Sequence, residues 1–419
     1  MIAVARSGRG AEPSRASRPT TGLTVPIILT VLLVAGAVAP YRALRDATTL
    51  APADHVHLEL PWLYLALAPV CDVMDVVACL ALTQQLALVV TLGIVACARR
   101  RPGSLLWPAT RIGAVAFFAV GVLAYCEATL LWDRPMARLR ADDPDEVVVD
   151  FHAHTRDSHD GRIGFDGERN RSWHASAGFD VAYVTDHHAW RPHPNPTTAG
   201  EGTVLLTGAE LRMSNSYVVA LDDPERYVAA LDKDHRALLP ERFDALPPAL
   251  RPHFVLPLPL RLERVQRVVR GARGTVVALE LHDGDPRGIE QSRRDHDDIL
   301  RLAHRLDLAL VSGTNLHGWG RTASAWTLIR IPGWRAMPPD QLAAAIEDVL
   351  RTRRAGAARV IERAVVDPGG SFARVFSLPL VGLHLVRALQ PAERLSWLAW
   401  AWAIWAALRL RSFRKRSIS

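Results

Sequence analysis

Two histidines spaced two apart, His152 and His154, stand at the end of the apolar run Val147–Phe151, inside the stretch DFHAHTRDSHDG. Side chains of a strand alternate with period two, so both imidazoles fall on one face and can share one cation at ~2.1 Å. An isolated HxH says little, because His55 and His57 form another that reads as loop. Here, however, Asp160 lies just beyond the first pair, and three more β-like runs end in residues of the same chemistry. Val181–Thr185 leads into TDHH with His187, Val204–Thr207 into GAE with Glu210, and Leu308–Ser312 into SGTNLHG with Asn315 and His317. A mixed set of imidazoles and carboxylates is what a divalent hydrolytic metal requires.

For such residues to meet, the strands carrying them must gather their carboxyl ends at one rim. From about residue 144 the chain alternates short β-rich runs with helix-like Ala/Arg/Leu stretches, the pattern of an α/β domain. Barrels of parallel strands collect reactive side chains at that rim. Tyr217–Leu221 and Val276–Leu281 supply further strands. A closing strand is expected over Trp326–Ile331, then a helix from Pro339 to Thr352 with Leu342, Ile346, Val349 and Leu350 on one face.

In order and spacing these motifs resemble the PHP (polymerase and histidinol phosphatase) family, whose members carry a pattern like DLHxHTxxSDG, then TDH, GxE and GSDxH. The counterparts are Asp150–Gly161, Thr185–His187, Gly208–Glu210 and Gly313–His317, and the resemblance covers roughly residues 145–366. It implies an α/β fold, a distorted seven-stranded βα barrel, with up to three zinc, manganese or iron ions and phosphoester hydrolysis. It also implies that His152, His154 and Glu210 hold one metal while Asp160, His187 and His317 hold another. Asn315 stands where the family has Asp and joins the ligand set as a neutral carboxamide. The family's two further histidines are replaced around Ser216–Tyr217 and by Leu258–Pro259, so one or two divalent ions are expected.

Several roles stay open at this stage. His187 or His317 is either a ligand or a proton donor to the leaving group, since imidazole titrates near neutrality. The ELHDGD stretch offers His282, Asp283 and Asp285 as compensating ligands or as a surface turn. His188, Arg191, His193 and Arg321 are either donors to an anionic substrate or solvated loop residues.

Composition adds a membrane expectation. The chain has 419 residues, 49% of them apolar, and a net charge of +7. Its Arg residues gather beside apolar segments, which reads as a topology signal rather than nucleic-acid binding. All 4 cysteines lie in apolar segments, so neither a disulfide framework nor a CxxC site is present. The expected organisation is a disordered basic leader over 1–22, a transmembrane region over 23–140 with spans at about 23–40, 77–98 and 112–132, and the PHP-like domain over 141–366. A linker and amphipathic stretch over 367–394 precedes a Trp-rich membrane helix and basic tail over 395–419. Only 14 residues separate Arg394 from Arg409, so that helix either crosses or lies in the interface. The positive-inside rule puts the N-terminus in the cytoplasm and the domain outside it. Asp72 and Asp75, one helical turn apart, read as an interfacial cap or an ion path.

The resulting expectation is a membrane-anchored, metal-dependent phosphoesterase acting on a small phosphorylated or anionic substrate. Its partner is the lipid bilayer, and no nucleic acid is involved. The competing expectation is a catalytically degenerate domain that binds a ligand or metal as a tethered sensor.

Overall fold

The computed structural model describes residues 21–40, 42–98, 130–187, 189–272, 274–367, 373–374 and 376–417, together with positions 116, 119 and 122. Its strands are β1 Leu44–Asp46, β2 Val56–Glu59, β3 Arg138–Ala141, β4 Glu146–Ala153, β5 Val181–Val184, β6 Val204–Thr207 and β7 Ala209–Met213. They continue as β8 Ser216–Ala220, β9 Phe254–Leu256, β10 Val276–Asp283, β11 Ala309–Gly313, β12 Ala325–Arg330 and β13 Arg359–Arg363. Six of them form a sheet in the order β1-β13-β12-β4-β5-β6, five form a second in the order β11-β10-β9-β8-β7, and β2-β3 make a two-stranded ribbon.

The pairing is mixed. β4, β5 and β6 run parallel, as do β9, β10 and β11, whereas β8 is antiparallel to both β7 and β9. β4 and β10 are buried along almost their whole length, which explains their nearly continuous apolar texture. One core cluster joins both sheets, with Val149, Phe151 and Tyr183 from the first and Val219, Val255 and Val277 from the second. The helix Pro339–Arg353 closes that core with Leu342, Ile346 and Leu350, which recur at helical spacing on one face.

Two seams tie the sheets together. At one, the Gly208 N–H donates to the Val184 carbonyl at 2.8 Å and the Glu210 N–H to the Thr185 carbonyl at 3.0 Å. At the other, the His154 N–H donates to the Leu316 carbonyl and the Asn315 N–H to the His152 carbonyl, both at 2.7 Å. Asp150 locks the second seam: its carboxylate accepts from the Thr314 N–H at 2.8 Å and faces His174 Nε2 of the helix Gly167–Ala177 at 2.8 Å.

The membrane-spanning architecture does not stand. Among the described residues no helix is long and apolar enough to cross a membrane. The helix Thr21–Val38 has 18 residues and the helix Leu82–Ala98 has 17, lengths of ~27 and ~26 Å against a hydrocarbon core of ~30 Å. The expected span at 77–98 is broken, because one helix ends at Ala78 and the next starts at Leu82. In the first turn of the second helix Gln84 accepts from the Ala81 N–H at 3.2 Å and donates to Ser377 Oγ at 2.8 Å. The Trp-rich stretch belongs to a helix, Pro391–Ser417, that carries charged side chains on both flanks of its apolar stretch. Most of the span expected at 112–132, and most of the leader, lie outside the described residues. With the spans goes the inferred placement of an integral membrane protein with its domain outside the cytoplasm, which rested on them alone. The fold is a mixed α/β arrangement of three sheets among the described residues, in place of a barrel framed by membrane helices.

Candidate metal centre

The seams place the motif residues in one another's company. His152 and His154 leave the end of β4, where a register shift between Asp150 and Ala153 marks a bulge that re-aims the side chains. Glu210 on β7 is their common neighbour. Its Oε2 lies 3.2 Å from His152 Nε2, 3.4 Å from His154 Nε2 and 3.1 Å from His187 Nε2. Asp160 lies on the far side of His187, its Oδ2 at 3.9 Å from His187 Nε2 and 3.2 Å from His317 Nε2. The His154 ring stacks between neighbours, its centroid 4.3 Å from that of His317 and 5.1 Å from that of His187.

The described residues include several His/Asp/Glu groups that could hold a metal ion, each with one ligand atom per residue within 4.8 Å of the others. Three of them overlap here: His152, His154 and Glu210; His159, Asp160 and His187; and His152, Glu280 and Asp283. A fourth, Asp222 with His253 and Glu347, lies apart, and there His253 Nδ1 already faces Glu347 Oε2 at 2.9 Å.

His154 is the clearest sign of a missing ligand. It is fully buried, yet neither ring nitrogen has a hydrogen-bond partner among the described residues. Glu210 approaches at 3.4 Å but without hydrogen-bond geometry. A buried polar group without a partner costs ~1–3 kcal/mol, and the one lone pair of a neutral imidazole is a natural ligand for a divalent cation. The electrostatics agree. Burial, reinforced by His317, His152 and His187, pushes the His154 imidazole well below its usual range, so it stays neutral and able to ligate. Burial also lowers His187, against the pull of Glu210 and Asp160. His152 goes the other way: burial opposes its charge, but Glu210 and Glu280 on its two sides outweigh this and raise it well above the usual range. Burial works against charge on Glu210 too, and the surrounding imidazoles, His152 first, still hold it below its ordinary value.

Around the ligands stands a second layer. Glu280 Oε1 lies 3.1 Å from His152 Nδ1, while its Oε2 accepts from the Leu258 N–H at 2.8 Å. This is the carboxylate–histidine arrangement that fixes a ligand's tautomer and aim. Asn315 donates through Nδ2 to Asp283 Oδ2 at 3.1 Å. Asp186 accepts from both the N–H and the hydroxyl of Thr155 at 2.6 Å, pinning the loop that carries Asp160.

The expected residues His152, His154, Asp160, His187, Glu210 and His317 thus lie together, and Asn315 sits one layer behind, against Asp283. Of the open candidates in ELHDGD, only Asp283 joins the site. His282 faces Glu362 and Ser324 at 2.9 Å, and Asp285 caps the helix Pro286–Arg294. Arg191 reaches Asp157 and Arg321 reaches Asp133. His188 lies outside the described residues. Sequence reasoning missed Glu280 and His159. The first had a signal, an acid in the midst of the apolar run VVALELHD.

No protein-family model matches the chain, and the comparison with curated proteins gives no match. Among solved structures, the chain is similar to PsfC from Pseudomonas syringae PB-5123, with 17% identity, 50% of this chain and 99% of that chain covered, and a TM-score of 0.34. A likeness at that level assigns neither fold family nor activity.

Proposed function

We propose that this protein is a metal-dependent hydrolase of phosphoesters, using one or two divalent ions of the zinc, manganese or iron kind. The observation that supports it most is His154, buried with two unpartnered nitrogens at the point where His152, His187 and Glu210 converge. The resemblance of the motif order to the PHP family points to the same chemistry. In this reading His152, His154 and Glu210 hold one ion and Asp160, His187 and His317 hold the other. A divalent ion bound there supplies Lewis-acid polarisation of a phosphoryl oxygen and acidifies a water molecule.

The chain's own groups do the rest. Glu210, kept ionised among imidazoles, joins the two sets and balances their positive charge. Glu280 orients His152, and Asp150 fixes the loop that presents His317. His187 and His317, whose Nε2 atoms lie 3.9 and 3.2 Å from Asp160 Oδ2, serve as ligands first, and whichever is not bound to metal is the residue placed to protonate the leaving oxygen.

The test is elemental analysis of the purified full chain, followed by phosphomonoester and phosphodiester hydrolysis with manganese or zinc and with chelator. Stoichiometric metal and chelator-sensitive turnover support the reading. A folded protein that binds no metal and turns nothing over would leave the sensor as the better account, one favoured by the tie between the Asn315 amide and Asp283.

A further inference from the structure

Two of the candidate ligands, Asp160 and His317, stand in the lining of a cleft that also has an apolar wall. The cleft encloses about 540 Å³, and its charged and polar lining includes Arg134, Asp160, Asp285, Asn315, His317 and Arg321. That volume falls within the ~300–1,000 Å³ of small-molecule sites. Facing them, the helix Ala68–Ala78 contributes Met74, Val77 and Ala78, and the helix Leu82–Ala98 contributes Gln85, Leu88 and Val89. Both triplets have i, i+3, i+4 spacing, so each helix lays one continuous stripe along the wall. Stripes of this kind ordinarily pack into a core, whereas these border the cleft in which Asp160 and His317 stand.

We propose that the substrate is a phosphoric monoester carried on a single hydrocarbon chain, its anionic head at the metal ligands and its chain along the two helical stripes. The proposal rests on the metal-hydrolase reading and names its substrate class. The lining sets the orientation: His317 and the Arg134 and Arg321 guanidinium groups stand among its polar residues with Asp160 and Asp285, an ion held by Asp160 and His317 would add positive charge there, and the two helices contribute Gln85 and otherwise uncharged apolar side chains. Arg321 is half-buried; its Nε donates to the Arg134 carbonyl at 3.2 Å, while its Nη1 meets the exposed carboxylate of Asp133 at 3.1 Å, a contact that an incoming phosphate can take over.

The test uses non-hydrolysable alkylphosphonates of one, four, eight and twelve carbons, as monomers, titrated calorimetrically into the manganese- or zinc-loaded full chain. Affinity is expected to rise two- to four-fold per methylene, the upper figure being that for full burial. Val89→Asp should flatten the series while leaving methylphosphonate affinity and metal content unchanged, and Val77→Ala is the milder companion should the first misfold. Equal affinity for all lengths, with metal bound, overturns this inference and leaves the hydrolase reading standing. A length dependence that survives in a folded wall variant also overturns it, as does hydrolysis confined to two-chain phosphatidate in vesicles. Absence of metal and of phosphonate binding at every length would instead sink the reading on which it rests.

Discussion

At the residue scale, the buried His154 and its neighbours make metal binding measurable as stability. A ligand that binds only the folded state adds ~2.7 kcal/mol at a hundred-fold excess over its Kd. Thermal scans should therefore show a metal-dependent rise in Tm that chelator reverses, and His154→Ala or Glu210→Gln should remove that response. Glu280→Gln keeps the shape but loses the charge behind His152, and is expected to weaken metal binding by ~10–100-fold, the usual effect of an outer-layer partner. A loss beyond a thousand-fold in a metal titration would make Glu280 a direct ligand. The imidazoles were legible because each follows a β-run in a recognisable order. The partners of Asn315 and His152 were not, since Asp283 and Glu280 reach them across a strand pairing that spacing does not encode.

At the element scale, backbone approach beneath the site is the tightest constraint. A Cβ on Gly313, at the end of β11, would stand 2.3 Å from Glu280 Oε1 and 2.5 Å from His152 Cβ. Gly313→Ala should consequently lower Tm and metal affinity together, and isothermal titration on the folded variant checks the second. Farther out, the helix Pro391–Ser417 is fastened through carboxyls. Trp397 Nε1 donates to Asp72 Oδ2 at 2.7 Å, and the Tyr64 hydroxyl lies between the two carboxyls, 2.9 Å from Asp72 Oδ1 and 3.0 Å from Asp75 Oδ2. Burial, with the nearby charge of Asp72, pushes the Glu393 carboxyl up to about 9 from its ordinary 4.5. Its folded form retains a proton that the unfolded chain has already released, so this contribution to stability is full below pH 4.5 and is lost as pH rises through about 9. Asp72, raised chiefly by burial, acts with the same sign. Urea midpoints should fall from pH 5 to pH 9, and Glu393→Gln should flatten that slope; an unchanged slope would contradict the account. The strands and the helix after Pro339 were readable from periodicity. The break in the stretch 77–98 was not, because Gln84 is anchored by Ser377, distant in the chain.

At the scale of the whole molecule, hydropathy read segment by segment overstated the membrane, since among the described residues the apolar runs at 23–40 and 77–98 form helices too short to cross it. The mixed topology was equally hidden. β8 reverses direction within an otherwise parallel order, and β1, far ahead of the domain in sequence, joins the six-stranded sheet by pairing with β13. Two of the proposed ligands, His154 and Glu210, and Asn315 just behind them donate three of the four main-chain hydrogen bonds described above that stitch one sheet to the other. The ion and the stitching are therefore one joint. Stripping the metal should let the wall breathe where its two halves meet, so deuterium should enter the amides of residues 154, 210 and 315 sooner in chelated than in loaded protein, while amides in the middle of β10 keep their pace.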